Sequence, residues 1–193
     1  RQILALVKEF LDQELGWTNE QFGMVNSAFQ GAYAVGLLAF GWFVDRYGTK
    51  IGYAVSLVLW SLSAIGHAAV GSVRGFFAAR IALGASEGGN FPSAIKAVAL
   101  WFPKRERAFA TALFNSGTNV GAIVAPALVP AIALAFGWRW AFILAGFAGF
   151  LWLFLWIPFY EVPEKRKGLD PADLAHLRSD AEERANGGRP MGW

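Results

Sequence analysis

Residues 75–101 read GFFAARIALGASEGGNFPSAIKAVALW. A run of this length can cross ~30 Å of hydrocarbon, which takes about 20 apolar residues in a helix. It nevertheless carries Arg80 and, near its centre, Glu87. An ionised side chain at the bilayer centre costs roughly 2.5–3.5 kcal/mol on insertion scales, and such groups mark ion or substrate pathways. Arg80 and Glu87 are seven residues apart. Seven residues turn a helix through about 700° and rise about 10.5 Å, so the two share one face. Asn90 extends that face. Gly84, Gly88, Gly89 and Pro92 surround the acid; glycine allows close backbone approach, and proline frees carbonyls that a cavity or neighbour must satisfy. The competing reading is a buried ion pair that only fixes helix packing. The rule for ionisable groups inside spans favours function.

Composition points the same way. The 193 residues are 55% hydrophobic and only 16% charged, with 9 Trp and 17 Phe. That is too apolar for an ordinary soluble domain and fits spans bordered by aromatic belts. Mean hydropathy is only +0.39 because both ends are polar. The net charge of +3 is to be read by location, since basic residues gather in cytoplasmic loops. No basic surface is interleaved with aromatics as nucleic-acid binding requires. Cysteine is absent, which removes disulfides and thiolate metal sites.

Outward from residues 75–101, residues 51–70 and 140–159 are free of Asp, Glu, Lys and Arg and read as spans. Further spans run over residues 22–44 and 108–136, the latter long enough to tilt. Residues 1–11 read as the outer half of another, which makes five full spans and a truncated first one. The chain opens without Met inside an apolar run and ends abruptly at Trp193, so both ends look cut. Residues 1–160 are expected to form a transmembrane bundle, and 161–193 a polar cytoplasmic linker toward a missing C-terminal bundle, with a short helix from Pro171 to Arg184 capped by Asp170. Arg46, Lys50, Lys104, Arg105, Arg107, Lys165, Arg166 and Lys167 fall at one side, against Lys8, Arg74 and Arg139 at the other. The richer side, with loops 45–50 and 103–107 and the tail 161–193, is assigned to the cytoplasm. The arrangement allows two three-span units of inverted topology, in which Arg1 and Arg80 are related positions facing one cavity.

Other polar residues sit at depth. Asn115, Thr118 and Asn119 share a face at i, i+3 and i+4 and supply the donors and acceptors that sugar hydroxyls need. The alternative is hydrogen bonding between packed helices. Gln30 and Tyr33 form another pair near mid-depth, and Tyr33 is assigned to the pocket. His67, alone near a span end, reads as packing. No metal constellation and no nucleophile–base–orienter set is visible, which argues against an enzyme. In the loop Gly41-Trp-Phe-Val-Asp45-Arg46-Tyr-Gly48-Thr-Lys50, Asp45 can face the positive end of another helix while Arg46 and Lys50 suit a cytoplasmic latch; topological charge alone is the alternative.

That loop, Gly41-x-x-x-Asp45-Arg46-x-Gly48-x-Lys50, resembles the signature between spans two and three of the major facilitator superfamily. The segments Arg80-Ile-Ala-Leu-Gly84-Ala-Ser-Glu87-Gly-Gly-Asn90-Phe-Pro92, Trp101-Phe-Pro-Lys-Arg-Glu106-Arg107-Ala and Phe114-Asn-Ser-Gly-Thr-Asn-Val-Gly-Ala122 resemble its anion:cation symporter branch, the hexuronate transporters above all. The resemblance implies an all-α integral membrane fold, the N-terminal six-helix bundle of a twelve-span protein with its first helix truncated. It implies multi-pass residence in the inner (plasma) membrane and proton-coupled import of an anionic sugar acid such as glucuronate or galacturonate. Other carboxylates (aldonates, aldarates, aromatic acids) and a transporter-like sensor are the alternatives. Protons are the coupling ion, no cofactor is expected, and the partners are the small anion, the lipid bilayer and the missing half. By position, Arg1 matches the span-one arginine that binds the substrate carboxylate, Arg80 the span-four arginine, and Glu87 the protonatable acid. Tyr33 and Thr118 fall where relatives touch substrate, and Asn115 and Asn119 flank Thr118. Gly41, Asp45, Arg46, Gly48 and Lys50 form the gating loop. Relatives carry an Asp before the span-one arginine, a position ahead of Arg1.

Overall fold

The computed structural model describes residues 2–170, 172–174 and 176–177. Among them there is no strand. The helices are α1 (Ile3–Leu6), α2 (Lys8–Leu15), α3 (Asn19–Tyr47), α4 (Thr49–Gly66, extended by a 3-10 turn His67–Ala69), α5 (Val73–Glu87), α6 (Asn90–Trp101), α7 (Arg107–Phe136) and α8 (Trp138–Phe159). Four of them, α3, α4 with its 3-10 turn, α7 and α8, are long and apolar enough to cross a membrane. The expected fourth span is different. It is two helices, α5 and α6, joined at Gly88–Gly89 immediately after Glu87. The cause is local. Pro92 has no N–H to give Gly88 O, and Gly89 N bonds Ser86 O, one residue short of the α-helical partner. Ser86 O also accepts from Ser56 Oγ at 2.7 Å.

Two glycines set the topology. α3 and α4 are joined by Gly48 alone, with φ 87° and ψ 160°, and α7 and α8 by Gly137 alone, with φ 90° and ψ 152°. That backbone region is open essentially only to glycine. Each hinge glycine donates its N–H to the carbonyl four residues back, Val44 or Ala133, at 3.0 Å. One hinge lies at each end of the bundle.

Small residues let the helices touch by backbone. A Cβ at Gly36 would fall onto Ala85 O, and one at Gly84 onto Phe29 O, so α3 and α5 cross in close contact. On α8, Gly146 lies against Ser61 O of α4 in the same way, and Gly149 leaves room for the Ser61 hydroxyl and the Trp60 ring. This is the packing mode of helices in lipid, where tails leave little hydrophobic drive between helices. Larger side chains face outward instead: Phe109, Ile123, Leu134 and Phe154 are all more than 70% exposed. A surface so apolar has the bilayer as its natural cover.

The end of the bundle near Gly137 is closed by an aromatic cluster of Trp17, Phe76, Trp138 and Phe142. His67 belongs to it. The ring is fully buried, stacks on Phe142 at 4.9 Å and places Nδ1 2.7 Å from Ser63 O, which bears out packing as its role. At the rim, Glu14 accepts from Trp138 Nε1 at 2.6 Å and pairs with Arg139, and Asp12 accepts from Trp17 Nε1 and Lys8. Hydrogen bonds from Arg139 first, then Trp138, hold the Glu14 carboxyl below the usual carboxylate range. A depressed folded-state pKa adds stability above the unfolded value, and that stability is lost as pH falls through the folded one. Glu14→Gln is therefore expected to melt below wild type at pH 7. The two should converge only as pH falls below the ordinary glutamate range and through the lowered folded-state value, where the native carboxylate protonates. Thermal unfolding in detergent across pH checks this.

At the other end, Lys50 pairs with Glu161 at 2.9 Å, Trp156 Nε1 donates to Lys50 O, and Trp101 Nε1 donates to Glu161 O. The start of α4 is thus tied to the ends of α6 and α8. Asp170 Oδ1 accepts from Ala172 N as an N-cap. The rest of the expected Pro171–Arg184 helix lies outside the described residues, apart from 172–174 and 176–177.

Candidate functional site

α3, α6 and α7 surround a cavity of about 570 Å³, roofed by Gln2 and Ile3 at the start of the chain. That is within the range of small-molecule sites, roughly 300–1,000 Å³. Glu87 projects from the last turn of α5 onto its wall, next to Asn90 and Phe91 from the first turn of α6. Positions i, i+3 and i+4 stay on one face because both glycines between the helices keep right-handed helical dihedrals. Tyr33 enters from α3. α7 contributes Phe114, Asn115 and Thr118, then Gly121, Ala122 and Ala125, whose small side chains leave the volume open.

Asn119 does not line this cavity. The lining positions of α7 centre on Thr118, and the next residue is turned by about 100°; Asn119 is exposed on the flank. Gln30 is exposed and also outside the lining. Arg1 lies outside the described residues, so its placement relative to the cavity is not part of this geometry.

Arg80 sits one layer behind the wall. Its side chain is only 2% exposed. Nη2 donates to Asn26 Oδ1 at 3.3 Å, and the guanidinium lies 5.2 Å from the centre of the Phe29 ring. Phe29 in turn stacks on Tyr33 at 6.1 Å, and Tyr33 lines the cavity. A cation over an aromatic face is attracted by the ring quadrupole, so α3 supplies both the seat of the charge and the screen in front of it.

Glu87 also borders a second, smaller cavity of about 160 Å³, shared with Asn90 and with Tyr53, Ser56, Leu57 and Trp60 of α4. Glu87 therefore lines both spaces. No group of three or more His, Cys, Asp or Glu able to hold a metal ion occurs among the described residues.

The signature loop does something the sequence reading missed. Asp45 pairs with Lys96 of α6 at 2.8 Å rather than with a helix terminus, and Lys96 Nζ also donates to Val44 O at 3.0 Å. Lys96 thus anchors the half-helix that follows the Gly88–Gly89 break to the end of α3. Its partner is 51 positions away, and only its presence inside an apolar run could have flagged it. Lys50 reaches Glu161, Arg46 is exposed, Gly48 is the hinge, and Gly41 has open space where a Cβ would be.

Comparison with known proteins places this arrangement. A profile of the family described as Major Facilitator Superfamily matches residues 1–184. The hexuronate transporter of Escherichia coli (strain K12) is 37% identical over 182 residues, covering 94% of this chain and 42% of that protein. A probable galactarate/D-glucarate transporter of Bacillus subtilis (strain 168) is 33% identical over 183 residues, covering 92% of this chain and 40% of that protein. The chain thus spans about two fifths of these relatives' length. Among solved structures, a bacterial homologue of the human lysosomal transporter Spinster, inward-facing and occupied, superposes with a TM-score of 0.75 at 17% identity, over 88% of this chain and 42% of that one. At that identity the likeness speaks for the fold alone.

Proposed function

The chain belongs to the major facilitator superfamily, and from that premise we propose that it forms the N-terminal half of a proton-coupled carrier that imports an anionic sugar acid, a hexuronate such as glucuronate or galacturonate. One observation carries the reading: a protonatable carboxyl, Glu87, lines a cavity of sugar size whose wall is backed by the buried guanidinium of Arg80. The names of the relatives support the class of substrate.

The chemistry follows from charge. An anion entering the cavity is attracted by Arg80 through the aromatic wall and, on the family assignment, by Arg1. Ionised Glu87 on the same wall opposes the anion. Protonation removes that opposition, so anion and proton favour each other's binding by the same factor. Asn115 and Thr118 offer hydrogen bonds to hydroxyls, and Tyr33 lies between the cavity and the Phe29–Arg80 layer. The Gly48 end, richer in Lys and Arg, faces the cytoplasm of the inner membrane, and Asp45–Lys96 and Lys50–Glu161 act there as latches while one bundle rocks against the other.

The galactarate/D-glucarate relative favours a second reading, in which the anion is an open-chain aldarate. Uptake of labelled sugar acids by the intact protein in proteoliposomes under an imposed pH gradient separates these readings. Accumulation of a hexuronate driven by an inward proton gradient is expected. Binding without flux would instead indicate a sensor.

A further inference from the structure

We infer that Phe91 and Phe114 form a shelf that selects the closed pyranose ring of a hexuronate over open-chain sugar acids. This rests on the carrier reading above and adds the basis of its selectivity. Two helices bring the same pair of residue types to the cavity in opposite order: Asn90-Phe91 at the start of α6 and Phe114-Asn115 on α7. The phenyl rings meet at 6.4 Å between centroids, tilted by 49°. Phe91 is 45% exposed and Phe114 half-buried, so both retain surface to offer a ligand. Neither ring belongs to the clusters that hold the bundle together.

A pyranose in its chair form has a rigid face of axial C–H groups and a rim of hydroxyls. The C–H hydrogens are weakly positive and the face of a phenyl ring is negative, so the two attract. The amides of Asn90 and Asn115, each next to its ring, can meet hydroxyls at the rim. An open-chain acid has no fixed C–H face and would have to freeze several torsions to imitate one, an entropic cost that a preformed ring avoids. The apolar shelf therefore adds affinity for the cyclic acid that it withholds from the extended one.

The test uses a pair matched in charge and carbon number: D-glucuronate, largely cyclic, and D-gluconate, open-chain. Counterflow is measured with the intact protein in proteoliposomes, for wild type, Phe91→Leu, Phe114→Leu and Phe91→Tyr. Leucine keeps bulk and apolarity but has no ring face, whereas tyrosine keeps the face. Each leucine variant should raise the half-saturating glucuronate concentration by about 3- to 10-fold, the range of one aromatic contact, and leave gluconate within about twofold. Phe91→Tyr should retain the wild-type preference. Equal weakening for both acids or no change for either overturns the inference while leaving the hexuronate reading standing; a wild-type preference for gluconate overturns both the inference and the hexuronate reading, leaving only a sugar-acid carrier. A wild-type protein that moves neither these nor any other sugar acid removes the carrier reading itself.

Discussion

Replacing Glu87 with Gln is expected to abolish accumulation of substrate against its gradient while leaving exchange intact. Gln is nearly isosteric with the protonated acid, so the variant imitates one protonation state permanently. On the proposed mechanism each co-transported proton would couple the substrate to the pH gradient, and one pH unit supplies about 1.4 kcal/mol, tenfold accumulation per proton. In Glu87→Gln that ratio should fall to one. Counterflow, which needs only binding and reorientation of the loaded carrier, should persist. Substrate affinity, expected to tighten on acidification in the wild type, should become flat with pH, because linkage vanishes once the titrating group is gone. Glu87 lines both cavities, which is the observation that assigns the proposed coupling role to it. Undiminished uphill uptake in this variant would remove Glu87 from the coupling mechanism.

Much of this was legible in the residues. A bilayer imposes a single length and a single polarity on every span, so the runs at α3, α4, α7 and α8 could be read to within a few residues. The shared face of Glu87 and Asn90 followed from helical geometry, as did that of Asn115 and Thr118. Other features depend on partners that periodicity does not encode. The break after Glu87 comes from Pro92 acting together with a hydroxyl from another helix, Ser56. The depth of Arg80 depends on which face of α3 meets α5, and that is decided by glycines at the crossing, Gly36 and Gly84. Asn119 was grouped with Thr118 by a window one face wide, whereas the cavity sees a narrower stripe. Phe91 and Phe114 gave no signal because 17 phenylalanines make any one of them unremarked. Only the meeting of two helices distinguishes that pair.

Removing the charge of Arg80 is the second large effect expected, and the way it fails reports how the charge acts. Arg80→Gln should weaken anion binding by about 30-fold. A unit charge on the order of 8 Å from the substrate carboxylate, at an effective dielectric constant near 20, is worth roughly 2 kcal/mol. Arg80→Lys separates field from contact. The guanidinium is held by Asn26 and the Phe29 ring behind the Tyr33 wall. If it works from there, any cation at that depth retains part of the effect, and Lys should cost only a few-fold. If Arg80 instead leaves its seat to grip the carboxylate with two parallel N–H groups, Lys cannot reproduce the fork and should be nearly as damaging as Gln. Equilibrium binding to the intact protein, with monodispersity of each variant checked beforehand, reads the two ratios. Lys close to wild type supports action through the aromatic layer. Lys equal to Gln means that the layer opens when substrate binds, and Tyr33 and Phe29 then become the moving parts. Unaltered affinity in Arg80→Gln would leave the cavity without its cationic backing and sink the electrostatic account of anion capture.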